Sequence, residues 1–192
     1  MNQAAQQVRL VYISQATFKP FQTPDGVECN VAQILAVSRK NNAKNKLFGA
    51  LYYGNSNFFQ CLEGEKTAVD ALLAKIQLDS RHKNLKILHQ EPIEQPSFQN
   101  WEMKYAMLDQ QARDFMKQHG LHRFDPYQFN LEMTQQFVGI LLASAQEVPE
   151  AALQQAAETT IPELKAEVSR SHLLLAGVLL LVIVVLVVVL NT

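Results

Sequence analysis

The sequence predicts an α+β fold, and three features of its patterning carry that prediction. Short β-branched and apolar runs alternate with segments whose apolar residues recur at i, i+3, i+4. Two of the runs are joined by Gly54-Asn55-Ser56-Asn57, the chemistry of a hairpin turn. The helical stripes are one-sided, so each needs a sheet face to cover it.

Residues 8–14 (VRLVYIS) read as the first strand. Residues 17–27, with Pro20, Pro24, Asp25 and Gly26, read as a loop. Asn30 is placed to cap the first helix, with Gln33 three residues on; Val31, Ile34 and Leu35 form its apolar face. The polar cluster 39–46 should end it. Residues 47–53 and 58–63 supply the hairpin strands. Thr67 is placed to cap a second helix with the stripe Val69, Leu72, Leu73 and Ile76. Residues 85–88 and 101–107 complete the order βαββαββ. Two helices on one face of such a sheet would pack in the ferredoxin-like manner. Two more helical patterns, 109–119 and 128–144, are expected to cap the opposite face. In the second, Tyr127, Leu131, Thr134, Val138, Leu141 and Leu142 recur at helical spacing.

A length of 192 residues allows one domain with a proper core plus an appendage. Hydrophobic residues make up 48% of it, unevenly distributed. Residues 173–190, from Leu173 to Leu190, are uninterrupted apolar residues without a charge. As a helix they would rise about 27 Å, close to the hydrocarbon thickness of a bilayer. Lys165 and Arg170 precede the run and no cation follows it, which places the N-terminal domain on the cytoplasmic side. The expected organisation is therefore a folded domain over 1–107, cap helices over 108–144, a linker over 145–171 and a transmembrane tail anchor over 172–190. A buried oligomerisation helix is the competing reading of the tail, and self-association stays open. Residues 1–7 have neither the basic nor the apolar region of a secretory signal. A net charge of −1 leaves no electrostatic footprint for nucleic acid. Cys29 and Cys61 form no CxxC pair and read as free thiols. No metal-ligand spacing is present.

Strand alternation puts Phe58, Gln60 and Leu62 on one face of the third strand, with Phe59 and Cys61 on the other. If the first face is buried, the Gln60 amide needs partners, because an unpaired one costs about 1–3 kcal/mol. The first strand offers one, since Leu10, Tyr12 and Ser14 share a face. Pattern alone describes a core glutamine bonded to a core tyrosine.

A longer set of ordered elements goes further. Tyr12 and Ser14 sit in the first strand, and Ser38-Arg39-Lys40-Asn41-Asn42 closes the first helix. Gly49-Ala50-Leu51 and Phe58-Phe59-Gln60-Cys61-Leu62-Glu63-Gly64 follow. Then come Lys75-Ile76, Asp79, Arg81-His82, Phe98, Trp101 and Met103. In this combination, residues 8–107 resemble the BLUF family of flavin photoreceptors.

The resemblance implies that FAD binds with its isoalloxazine ring between the two helices. It implies that Tyr12 gives an electron, then a proton, to the photoexcited flavin. It also implies that Gln60 bridges tyrosine and flavin and rearranges its amide. An amide suits that switch because it has a donor end and an acceptor end. Asn42 would hold the polar edge of the ring, with Ile34 and Ile76 on its two faces. Lys75 stands where many relatives carry arginine; ring-edge contact and a solvated helix lysine are both open. Asp79, Arg81 and His82 either reach the dinucleotide tail or form a helix-end ion pair. Trp101 and Met103 share a strand face and either line the pocket or pack as core. Gln95-Pro96 and Leu47-Phe48 depart from the family's usual residues. The expected function is light sensing through an unknown signalling protein, without enzymatic output. The alternatives are a light-independent membrane-tethered adaptor, and a small hydrolase, against which stands the lack of a clustered nucleophile and base.

Overall fold

The computed structural model describes residues 6–20, 28–98, 103–105, 109–144, 151 and 154–155. Its elements are β1 (Gln7–Ala16), α1 (Cys29–Asn45), β2 (Phe48–Gly54), β3 (Asn57–Glu65), α2 (Lys66–Gln77), β4 (His82–Pro92), β5 (Lys104–Tyr105), α3 (Asp109–Gln118) and α4 (Leu131–Ala143), with a 3-10 turn at Pro126–Gln128. The expected order βαββαββ plus two helices is therefore present. The sheet runs β4-β1-β3-β2-β5. Its first four strands pair antiparallel, and β5 adds to β2 in parallel.

The turn between β2 and β3 explains the hairpin's register. Asn55 and Ser56 both have positive φ, 48° and 59°, as a two-residue hairpin loop with the sheet's twist requires. Gly49 is dictated by the same pairing. A Cβ there would lie 2.1 Å from the Cys61 carbonyl oxygen, backbone that cannot step aside.

Alternation divides the sheet into two cores. Leu10, Tyr12, Phe58 and Leu62 face α1 and α2 together with Val31, Leu35 and Val69. Val11, Ile13, Phe59 and Cys61 face α3 and α4, where Phe115, Phe124, Phe129 and Phe137 converge. The cap helices thus cover the second sheet face, as their one-sided pattern requires.

Several local expectations are corrected. Glu28, not Asn30, caps α1: its carboxylate accepts from Val31 N at 2.7 Å. Asn30 instead donates its amide to Glu28 at 2.9 Å. The helix therefore begins one residue before Asn30, at Cys29, and the Glu28 backbone carbonyl already takes the Ala32 N–H at 2.9 Å. Thr67 does not cap α2; the helix starts directly off β3 with Glu65 as the cap residue, and the Thr67 hydroxyl donates to Glu65 at 2.7 Å. β4 spans His82–Pro92 rather than 85–88. It pairs with β1 on one side only, so its outward positions tolerate Lys83, Lys86 and Gln90, which hid the strand. The pattern 128–144 is interrupted: Asn130 caps α4 through Met133 N at 2.9 Å, and Leu131 is exposed. The fifth strand is seen at Lys104–Tyr105, and residues 101–102 and 106–107 lie outside the described residues.

Among the described residues no helix is long and apolar enough to cross a membrane. The run 173–190, read from the sequence as a transmembrane helix, lies outside them.

Candidate functional site

Two helices that share a sheet face leave a cleft between them when their apolar rows do not touch. Here α1 contributes Ile34, Val37, Ser38 and Asn41; α2 contributes Leu72, Lys75 and Ile76, and Asp79 follows just past the end of α2. The α1 set is spaced i, i+3, i+4, i+7 and the α2 set i, i+3, i+4, one row along each helix. The cleft they line measures about 160 Å³ and opens to solvent, with Tyr12, Gln60, Arg81 and His82 completing its walls. The stripe predicted for α2 is only partly inside: Val69 is buried, whereas Leu72, Leu73 and Ile76 are half-buried. Leu72 and Ile76 thus pack against the edge of the core and present the rest of their apolar surface to the cleft.

Tyr12 and Gln60 lie directly opposite one another on β1 and β3. Both are buried, and the Tyr12 hydroxyl donates to the Gln60 carbonyl oxygen. The other end of the amide faces the Met103 sulfur, with Nε2 to Sδ at 3.5 Å. Burial pushes the Tyr12 phenol well above its ordinary pKa of 10, and the Asp79 carboxylate pushes the same way. The phenol is therefore held fully protonated. Met103 is itself anchored, its carbonyl accepting from Arg39 Nε of α1 at 3.0 Å.

The rim carries the charge. Asp79 accepts from the Arg81 guanidinium at 2.6 and 2.9 Å and from the Arg81 backbone N–H at 2.9 Å. These bonds hold its carboxyl at a pKa of about 2. His82 turns away from that pair: its Nδ1 lies 2.8 Å from the Ser14 hydroxyl, and its ring lies 4.6 Å from Phe58. Burial lowers its pKa, with the Asp79 carboxylate pulling the other way.

Of the residues singled out from sequence, Tyr12, Ile34, Gln60, Lys75, Ile76, Asp79, Arg81 and His82 meet in this cleft, and Met103 touches Gln60. Asn42 is buried and is not among the cleft-lining residues; Asn41 is. On a helix Asn41 continues the row of Ile34, whereas Asn42 is turned about 80° from it. Trp101 lies outside the described residues. Val37 was not named, and Ser38, Asn41 and Leu72 were named only as motif or stripe residues and not as cleft residues, although their spacing from Ile34 and Ile76 carried the signal.

A slot with apolar helical walls, a polar rim and a buried phenol–amide pair as its floor defines a binding site for a flat aromatic cofactor with polar edges. Residues 7–104 match the family described as BLUF, sensors of blue-light using FAD, and the chain belongs to that family. It carries a flavin-binding domain that senses blue light, and FAD is its cofactor. The solved structure described as BlsA ground state is similar over 75% of this chain and 92% of its own, at 36% identity and a TM-score of 0.67. The structure described as BlrB, a BLUF protein in its dark state, is similar over 59% of this chain and 84% of its own, at 28% identity and a TM-score of 0.51. Photoactivated adenylate cyclase subunit beta of Euglena longa is 32% identical over 111 residues, 56% of this chain. That match spans only 12% of the cyclase subunit.

Proposed function

We propose that this chain is a non-enzymatic blue-light photoreceptor that signals to a partner protein from a membrane-tethered position. The observation that carries the reading is the buried Tyr12–Gln60 hydrogen bond at the floor of the cleft between α1 and α2. When bound, FAD supplies the blue-light absorption and an excited-state electron acceptor. Tyr12 supplies one electron and then its phenolic proton, and both return to it, so no net oxidation accumulates. Gln60 rearranges its amide in between, exchanging the end that faces Tyr12 with the end that faces Met103.

Ile34 and Ile76 pack on the two ring faces, and Asn41, which lines the cleft where Asn42 does not, serves the polar edge from the end of α1. Lys75 offers a point charge at the rim. The Asp79–Arg81 pair and His82 border the path of the dinucleotide tail. Met103 passes the amide's new orientation to β5, which follows it directly in the chain, and Trp101 takes part in the same relay. The partner engages the sheet, the cap helices or the tail, and the apolar run 173–190 anchors the chain with the sensor on the cytoplasmic side.

The test is an absorption spectrum before and after blue light. The FAD-loaded protein should show a reversible red shift. Gln60→Leu keeps a similar volume but can neither donate nor accept, so it should retain flavin and lose the shift. Tyr12→Phe should do the same by losing the electron and proton donor. The double variant should be no worse than either single one, because both belong to one relay. A normal red shift in Gln60→Leu would sink the mechanism.

A further inference from the structure

On the sheet face away from the cleft, β3 carries a second buried polar group that light sensing by Tyr12 and Gln60 does not use. Glu63 is fully buried and lies directly opposite Arg9 of β1. Arg9 Nε donates to Glu63 Oε1 at 2.7 Å. On its other side Arg9 meets Glu91 of β4 at 3.0 Å. The second Glu63 oxygen accepts from two consecutive backbone N–H groups, those of Ser97 and, at 3.1 Å, Phe98. Arg9 also reaches the Ser97 hydroxyl at 2.9 Å. One carboxylate thus pins the chain between β4 and β5 to the middle of the sheet. An acceptor shared by a guanidinium and two amides is among the strongest arrangements a carboxylate makes.

What it pins connects the two cores. Phe98 is fully buried among the cap-side residues, with Phe115 and Phe137 in the same cluster. Met103, five positions on in the sequence, is buried on the cleft side against Gln60. Gln60 and Glu63 belong to the same strand, so the strand that holds the switch also holds the start of the segment the switch pushes on.

We infer that Glu63 is a positioning residue that couples the flavin cleft to the cap helices, by fixing Ser97 and Phe98 so that displacement of Met103 is delivered to the α3–α4 core. The inference rests on the light-sensing reading above. With Ser97 and Phe98 held, a shift at Met103 works against a fixed point on the cap side. With them free, the flavin face switches and the cap does not follow.

The test is amide hydrogen exchange on the full chain loaded with FAD, in the dark and under continuous blue light, beside the absorption spectrum. Wild type should show the red shift together with a light-dependent change in exchange at α3 or α4. Glu63→Gln should bind FAD and give the full red shift. In the dark, and equally without flavin, its Ser97 and Phe98 amides should exchange about tenfold faster, the expectation for weakening a bond to a charged acceptor. Its light-dependent change at the cap should be lost. Arg9→Lys keeps the charge but loses the fork that serves Glu63, Glu91 and Ser97 together, so it should weaken the same coupling if Glu63→Gln does not fold. A wild type without a red shift would overturn the light-sensing reading itself. A wild-type red shift with no cap response, a cap response preserved in the variants, or a red shift lost from flavin-loaded Glu63→Gln would each overturn the coupling role alone.

Discussion

Asp79 and Arg81 show how one ion pair writes itself into the pH dependence of the fold. The Arg81 side chain is the largest cause of the low Asp79 pKa, with the backbone bond and its charge adding to it and burial opposing. A carboxyl whose folded pKa is about 2, against an ordinary 3.8, binds fewer protons folded than unfolded between those values. Its contribution to stability is therefore present above the ordinary value and lost as pH falls toward 2. Arg81→Met should remove that contribution, lowering stability near neutrality and flattening the profile between about 2 and 3.8, as urea melts from neutral to acid pH would show. An unaltered acid profile would mean that the pair is not the origin of the shift. Several of these contacts were legible in the sequence, because Asp79, Arg81 and His82 are close neighbours in the chain. The Ser14–His82 bond was not, since the two residues are 68 positions apart and meet only through β1–β4 pairing.

Helix ends decide where elements stop, and here they are set by single side chains. Asn130 caps α4 through Met133 N at 2.9 Å, while its backbone carbonyl takes both the Thr134 N–H at 3.0 Å and the Thr134 hydroxyl at 2.7 Å. Asn130→Ala should cost about 1 kcal/mol in urea unfolding, the usual value for losing an N-cap acceptor. The flavin spectrum should not change, because α4 packs on the face away from the cleft. No loss of stability would show that the backbone bonds alone hold this helix start. Glu28 does the same work for α1, yet the sequence favoured Asn30 for it. Cap preference is a local tendency, and which acceptor reaches the orphan N–H depends on how the preceding chain enters the helix.

Across the whole molecule, the cap-side core is built on Phe137. Its ring centroid lies 4.9 Å from that of Phe59, 5.1 Å from Phe115, 5.3 Å from Phe124 and 5.4 Å from Tyr52. Truncating a fully buried phenylalanine removes its transfer energy and leaves a cavity, so Phe137→Ala should cost about 3–5 kcal/mol. Equilibrium denaturation of the FAD-loaded protein would measure it, and a cost below about 1 kcal/mol would mean that the caps contribute little to the fold. The proposed anchor is a claim at the same scale. Full-length protein should partition with membranes and resist alkaline carbonate extraction. Arginines at Val182 and Val184 should release it, at about 2.5–3.5 kcal/mol per charge near a helix centre. Retention of that variant would point to attachment through a partner.

The sequence by itself determined which residues turn away from water. A period of two put Tyr12 and Gln60 on the same kind of face of two strands, and a period of 3.6 gave each helix its apolar side. Those periods made the order of elements, the two-sided sheet and most of the cleft's residues readable. They say nothing of what covers a face. Only the tertiary structure decided that Tyr12 stands opposite Gln60, that Leu72 and Ile76 face a cleft while Val69 enters the core, and that Asn42 is buried where Asn41 lines the slot. It alone brought Arg9, Glu63 and Ser97 into one network across separations of 54 and 34 positions. The reason is that burial is a property of one element and its water, whereas register and long-range hydrogen bonds are properties of pairs, decided when chain segments far apart in sequence close on one another.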